Sequence, residues 1–302
     1  MKILLTGPTG FIGSAFLQTA LRHGHEIAAL VRPEKLTTVS RHADPGLTWL
    51  PGTLANVPWS DLKKFRPELC LHTAWITTPG VYLESPENER YLEWSLDFLR
   101  RVSDTGANRM IVLGTCLEYQ SGGSILSEDQ TPLAPVSFYA RCKDTLRTAL
   151  ESEAEERGFA LGWGRVFYPY GPGEHPMRLC SSLIRSLHHG EKIVLKTPDS
   201  IKDYLYIDDL AAALLAVAEK RFCGAINLGT GTGVSVRDVA ETIGRLMGKT
   251  GAVDPAPAAN ARPENPVVAD AARLLGLGWR PQHTLSAGLE KMIAAAGAQP
   301  AP

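Results

Sequence analysis

Short apolar runs recur through the first half of the chain at intervals filled by polar or amphipathic stretches: KILLTG at 2–7, EIAALVR at 26–32, LTWLPG at 47–52, LCLHTAW at 69–75, MIVLGT at 110–115 and ALGWGRVFY at 160–168. The runs read as strands and the stretches between them as crossover helices, the rhythm of βαβ units on a doubly wound parallel sheet. Between the first two strands Ile12, Phe16 and Ala20 share one helical face, and Gly24 stands where a helix-ending residue is expected. Residues 85–105, opened by Ser85-Pro86, and 137–157 are expected to be long helices. After YPYGPG at 168–173 the pattern changes: Pro and Gly rise, a helix is expected at 177–189, and DYLYIDDLAAALLAVAE at 203–219 returns as strand then helix. The remainder reads as helical, broken by a Pro/Ala-rich connection at 254–266, and the tail AGAQPAP as disordered. The expected α/β organisation is a domain over 1–170, to which 203–229 partly returns, and a smaller, mostly C-terminal α/β lobe over 171–302.

Composition narrows the function classes. Among 302 residues, 31 Lys and Arg stand against 32 Asp and Glu, so no basic surface for nucleic acid or an anionic membrane is indicated, and any anionic ligand must be held by local groups. No apolar run approaches the roughly 20 residues of a spanning helix. The first expected strand starts at residue 2, with no leader pattern ahead of it, which gives a cytoplasmic expectation. Five cysteines, Cys70, Cys116, Cys142, Cys180 and Cys223, lack CxxC spacing and read as free thiols. The pairs His23/His25 and His188-His189 have no carboxylate at metal spacing, so no metal site is expected.

The first candidate chemistry is the turn after the first strand. Gly7, Gly10 and Gly13, with Thr9, Phe11 and Ile12 between and around them, lie between a short apolar strand and an amphipathic helix. In that context the first glycine allows the bend, the second lets backbone approach phosphate, and the third lets helix and strand pack closely, with the helix N-terminus facing a pyrophosphate. The 1–170 domain is therefore expected to be a dinucleotide-binding Rossmann domain. Arg32 lies 19 residues past Gly13, where a protein selective for NAD would place an acid for the ribose hydroxyls. A guanidinium there suits a 2′-phosphate, so NADP(H) is favoured over NAD(H), with Lys35 as a second basic group.

The second is SFYARCKD at 137–144, which puts Tyr139 and Lys143 four apart on one helical face. A phenol titrates near pH 10, and a neighbouring ammonium lowers that value by favouring the phenolate, so the pair can move a proton. Thr115 ends the fifth strand, at the sheet edge where open α/β folds bind ligands, 24 residues before Tyr139.

On these residues, together with LHTAW, PVSFYARCK, RVFYPYGPG, KDYLYIDDLAAAL, INLGTGTGVSV and LGWRPQHTLSAGLEKM, the sequence resembles the extended short-chain dehydrogenase/reductase family over nearly its whole length. The likeness is to its nucleotide-sugar epimerase, dehydratase and reductase branch, nearest to the NDP-4-keto-6-deoxysugar 4-reductases. The resemblance implies that Thr115 and Tyr139 contact the sugar oxygen that gains or loses hydrogen, and that Lys143 holds the nicotinamide ribose and tunes Tyr139. It implies cofactor contacts at Thr73 and Ala74, and places Trp75 against the sugar. Lys202 and Arg262 match the family's diphosphate-binding arginines; at Lys202 the bidentate fork is lost. Asn227 matches a substrate-lobe signature, with a loop hydrogen-bonding role as its plainer reading. A homodimer through helices at about 86–105 and 137–157 follows from the resemblance alone.

Departures narrow the reaction. Sugar 4,6-dehydratases of this family follow the Thr with Asp and Glu, whereas this chain has Cys116 and Leu117, so dehydration is disfavoured. Glu118, if the strand continues, points to the side opposite Leu117. Cys116 and His175 could form an acid/base pair, but Cys116 is one position early and reads rather as a packed thiol. Thr53 replaces the family acid on the adenine side. The expected function is NADPH-dependent reduction of a nucleotide-diphospho-4-keto-6-deoxysugar at C4. The alternatives are a nucleotide-sugar 4-epimerase using the same three residues, and a non-catalytic NADP-binding regulator, against which the intact Tyr139 and Lys143 speak.

Overall fold

The computed structural model describes residues 1–39, 44–120, 122, 125–254 and 266–297. The chain runs β1 (Lys2–Thr6), α1 (Phe11–Arg22), β2 (Glu26–Val31), α2 (Pro33–Val39), β3 (Leu47–Pro51), α3 (Trp59–Phe65), β4 (Leu69–His72), α4 (Glu87–Val102), β5 (Arg109–Thr115), α5 (Phe138–Arg157) and β6 (Ala160–Val166). It continues through β7 (Tyr168–Tyr170), α6 (Leu179–His188), β8 (Ile193–Val194), β9 (Ile201–Tyr206), α7 (Ile207–Glu219), β10 (Gly224–Leu228), β11 (Gly233–Ser235), α8 (Val236–Leu246), β12 (Val253–Asp254), α9 (Ala272–Gly276) and α10 (Leu285–Gly297).

Seven strands form one parallel sheet in the order β10-β6-β5-β4-β1-β2-β3. The order reverses between β1 and β4, so the crevice beyond the carboxyl ends of these two strands is the switch point at which such sheets bind ligands. Leu4, Ala28, Cys70 and Val112, one from each of β1, β2, β4 and β5, are completely buried, and they share a core with Phe98 and Leu99 of α4, Leu146 and Leu150 of α5 and Trp163 of β6. This explains why the strands read as continuous apolar runs: both faces are covered by helices. On one side α4 packs on α5, and Arg100 reaches Glu153 across the pair.

The chain divides into two compact units. The first comprises 1–118, 133–165 and 211–226, and the second 119–132, 166–210 and 227–302. In the second, β9 pairs parallel to β7 and antiparallel to β11, while β8 and β12 form a separate parallel pair. Asp203, buried on β9, accepts hydrogen bonds from the amides of Thr230, Gly231 and Ala269 and from the Thr230 hydroxyl, tying three segments of this unit together. No helix among the described residues is long and apolar enough to cross a membrane.

Candidate active site

The glycine turn is built as the spacing demands. Gly7 has φ +67°, a conformation that favours glycine, and a Cβ on Gly13 would lie 2.1 Å from the Gly7 carbonyl oxygen. A Cβ on Gly10 would meet the same oxygen at 3.3 Å, a tight contact but far milder than that at Gly13, and Gly10 is exposed. Gly10 is also the N-cap of α1, where no side chain caps the helix and no acid occupies the first turn. A helix N-terminus with its amides and positive dipole uncompensated, behind a residue with no side chain, fits the pyrophosphate of a dinucleotide. Thr9 is exposed and Phe11 and Ile12 are half-buried at this turn.

The neighbouring strand end is held by a buried relay. Thr6 and His72 lie side by side in the β1–β4 register. The Thr6 hydroxyl oxygen accepts from the amides of Thr73 (3.1 Å) and Ala74 (3.2 Å), and the Thr73 hydroxyl donates to the Thr6 carbonyl at 2.7 Å. With its lone pairs engaged, the Thr6 hydroxyl donates to His72 Nδ1 at 3.0 Å, which leaves the ring proton on Nε2 to be donated to Ser95 Oγ of α4 at 3.0 Å. Burial, helped by the charge of Lys143, pushes His72 down to about 3, so it is a neutral structural residue. It fixes Thr73 and Ala74 beside the glycine turn.

Ser137 caps α5 through its hydroxyl, which accepts from the Ala140 amide at 3.2 Å, and this sets Tyr139 and Lys143 in the first two turns. Lys143 is almost wholly buried; its Nζ donates to the carbonyl of Leu113 on β5 at 2.8 Å and sits 3.8 Å from the centroid of the Trp75 ring. Burial pushes its pKa down to about 7, with the charge of Glu118 opposing. Tyr139 is buried, edge-on to Tyr82 at 4.9 Å and to Trp75 at 6.5 Å between ring centroids. Trp75 thus touches both members of the pair. Its own orientation is fixed by Nε1 donating to Asn88 Oδ1 at 2.8 Å, and the Asn88 amide donates to the carbonyls of Tyr82 and Ser85.

Thr115 is the last residue of β5, buried, two positions beyond the carbonyl that holds Lys143. The chain does not continue as a strand. Residues 116–118 form one 3-10 turn, which corrects the expectation of strand alternation: Glu118 turns inward and is completely buried. Its carboxylate accepts from the Thr115 amide (2.8 Å), from Trp163 Nε1 (3.0 Å) and from Arg165 Nε (2.8 Å). A Cβ on Gly114 would collide with Trp163 and Glu118, so this glycine makes room for the cluster. Cys116 is buried, as a packed thiol should be, and with Leu117 it provides no carboxylate. The sequence held one overlooked signal for this cluster: a charged Arg165 inside an apolar strand requires a buried partner.

The remaining candidates are placed as follows. Arg32, just past the end of β2, is exposed and pairs with Glu34, and Lys35 is exposed on α2. Thr53 closes a small turn by accepting from the Asn56 amide. In the second unit Lys202 lies on β9 with its ammonium 5.5 Å from the Tyr168 ring centroid. Asn227 lies on β10 and is completely buried; its side-chain amide donates to the carbonyls of Leu126 and Asp270 and its oxygen accepts from Tyr119. His175 accepts from the Met177 amide, outside the first unit that holds Cys116. Arg262, most of the Pro/Ala-rich connection and residues 298–302 of the tail lie outside the described residues. No cluster of three or more His, Cys, Asp or Glu side chains suited to a metal ion occurs among the described residues.

The chain is similar to known proteins over nearly its whole length. A UDP-glucose 4-epimerase of Corynebacterium glutamicum is 27% identical over 94% of this chain and 92% of its own length. The structure of a Thermus thermophilus UDP-glucose 4-epimerase in complex with NAD superposes with a TM-score of 0.81 at 26% identity, covering 99% of this chain and 100% of that one. A Bacillus anthracis dTDP-glucose 4,6-dehydratase in complex with NAD shares the fold, with a TM-score of 0.84 at 21% identity over 98% of this chain and 96% of that one. The model of the NAD dependent epimerase/dehydratase family matches residues 3–229, and the chain is a member of that family.

Proposed function

We propose that this protein is a nicotinamide-dependent 4-epimerase of a nucleoside-diphosphate sugar. The observation that carries the reading is Lys143 bonded to the β5 carbonyl of Leu113, two residues before Thr115 and one helical turn from Tyr139, with no acid pair following Thr115. NAD(P), when bound, supplies a reversible hydride acceptor and donor for C4. Gly7, Thr9, Gly10, Phe11, Ile12 and Gly13 would hold its pyrophosphate, with Thr73 and Ala74 beside them.

The chain's own residues supply the proton chemistry. Tyr139 takes the proton of the sugar 4-hydroxyl on oxidation and returns it on reduction. Lys143, in a site where its charge is finely balanced, favours the phenolate and is available to the cofactor ribose. Thr115 accepts the Leu117 amide at its oxygen, which leaves its hydroxyl proton for the sugar oxygen. Trp75 is a candidate wall for the sugar, and Lys202 a candidate partner of the diphosphate. Cys116 and Leu117 cannot eliminate a hydroxyl, which separates the chain from the dehydratases among its relatives.

One observation favours a second reading. Arg32 rather than an acid follows β2, which suits NADP and hence net reduction of a 4-keto nucleotide sugar by NADPH. The two separate in one assay. Purified protein mixed with UDP-glucose or UDP-galactose and no added NADPH interconverts them if it is the epimerase. No interconversion, together with NADPH consumption on a 4-keto-6-deoxy nucleotide sugar, supports the reductase.

A further inference from the structure

The buried acid of the first unit has no part in the proton transfer described above, and its contacts give it another. Glu118 reaches back three residues to take the last amide of β5, so the direction in which Thr115 leaves the sheet is set by this carboxylate. The same carboxylate is anchored from β6 by two donors, Trp163 and Arg165. These bonds all come from N–H groups, which an ionised carboxylate accepts; burial pushes its pKa up, and the Arg165 charge and these bonds act against that rise. Burying an ion pair is costly, and an apolar pair of similar volume often stabilises a core as well, so stability is a weak reason for its presence.

We propose that Glu118, paired with Arg165, is a positioning residue: it fixes the backbone of Thr115 and supports the ammonium of Lys143 for the chemistry at C4. This rests on the roles given to Thr115, Tyr139 and Lys143 above. The position of Lys143 agrees. Its ammonium donates to the Leu113 carbonyl of β5, two residues before the amide that Glu118 holds, against the Trp75 ring and one helical turn from Tyr139. The charge of Glu118 favours the protonated amine while burial opposes it. Arg165 lies beyond Glu118, bonded to it, and ties the carboxylate to β6.

The test uses the full chain carrying Glu118→Gln, and the double variant Glu118→Gln/Arg165→Met, which removes both charges and leaves no orphan guanidinium. Thermal melting reports the fold. NMR of protein labelled with 13C at the lysine Cε, followed across pH, reports the Lys143 titration without any substrate or need for reagent access. The proposal expects the Lys143 titration to move to lower pH in both variants, and kcat to fall about 10²-fold with KM little changed. Should the single variant fail to fold, the double variant decides. Wild-type turnover and an unmoved Lys143 titration in the folded double variant would overturn the proposal, and unfolding of both variants would overturn it by reducing Glu118 to a structural anchor. A wild-type protein inactive on every nucleotide sugar would sink the functional reading instead, while the Lys143 titration would still judge Glu118.

Discussion

The ammonium of Lys143 lies 3.8 Å from the centroid of the Trp75 indole, and the same indole stands edge-on to Tyr139 and is locked by Asn88. One aromatic side chain therefore contacts both members of the proposed proton-transfer pair. Trp75→Leu removes the cation–π contact and leaves the buried Asn88 oxygen without its donor. The expected outcome is a stability loss of about 1–3 kcal/mol in urea unfolding, with kcat lowered more than KM is raised.

The three glycines of the first turn are not equivalent. Gly13→Ala drives a Cβ to 2.1 Å from a backbone oxygen, so both melting temperature and cofactor affinity should fall. Gly10→Ala puts its Cβ 3.3 Å from the Gly7 carbonyl oxygen, which a small shift relieves, so it should lose much less melting temperature than Gly13→Ala, yet bind NAD(H) or NADP(H) at least about tenfold more weakly, because the methyl stands where the pyrophosphate is expected. Differential scanning fluorimetry alongside titration of reduced-cofactor fluorescence separates the two effects.

Cofactor choice should be set by Arg32, which is exposed and pairs with the neighbouring Glu34. Arg32→Asp is expected to lower NADP affinity at least about tenfold relative to NAD. Equal binding of both cofactors by the wild type and the variant would remove Arg32 from the site.

Stability should fall toward acid through His72. Its pKa, about 3 in the folded chain against 6.5 when unfolded, means that the unfolded state binds more protons between those values. The stabilisation is thus complete above pH 6.5 and is lost as the pH falls toward 3. Lys143 acts with the same sign at higher pH: about 7 folded against 10.5 unfolded, it contributes stability that grows as pH rises from 7 to 10.5. Urea unfolding at pH 6.5 and 4.5 should show a steeper loss in the wild type than in His72→Gln, the difference being at most about 1.4 kcal/mol per pH unit.

How far the sequence discloses this protein depends on the range of the interaction. The glycine turn, the strands and the Tyr139–Lys143 face are local patterns, and the fold realises them. Strand alternation misplaces Glu118, because the strand ends at Thr115 and a 3-10 turn follows; the partner of Glu118 is Arg165 on β6, which no local period encodes. His72 was legible as part of a strand end, but its relay needs Thr6 and Ser95 from separate elements. Asn227 is a further case, since its buried side chain meets Tyr119, Leu126 and Asp270 from segments far away in sequence. The choice between reduction and epimerisation was not legible, because the same three residues serve both, and only relatives and assays separate them.

The most direct measurement is turnover of UDP-glucose and UDP-galactose by the wild type and by Tyr139→Phe, with bound cofactor and melting temperature checked for each. The expected result is interconversion by the wild type and a loss of about 10²–10⁴-fold in kcat for a folded, cofactor-binding Tyr139→Phe. A folded variant that retains the wild-type rate would contradict the assignment of the proton transfer to Tyr139.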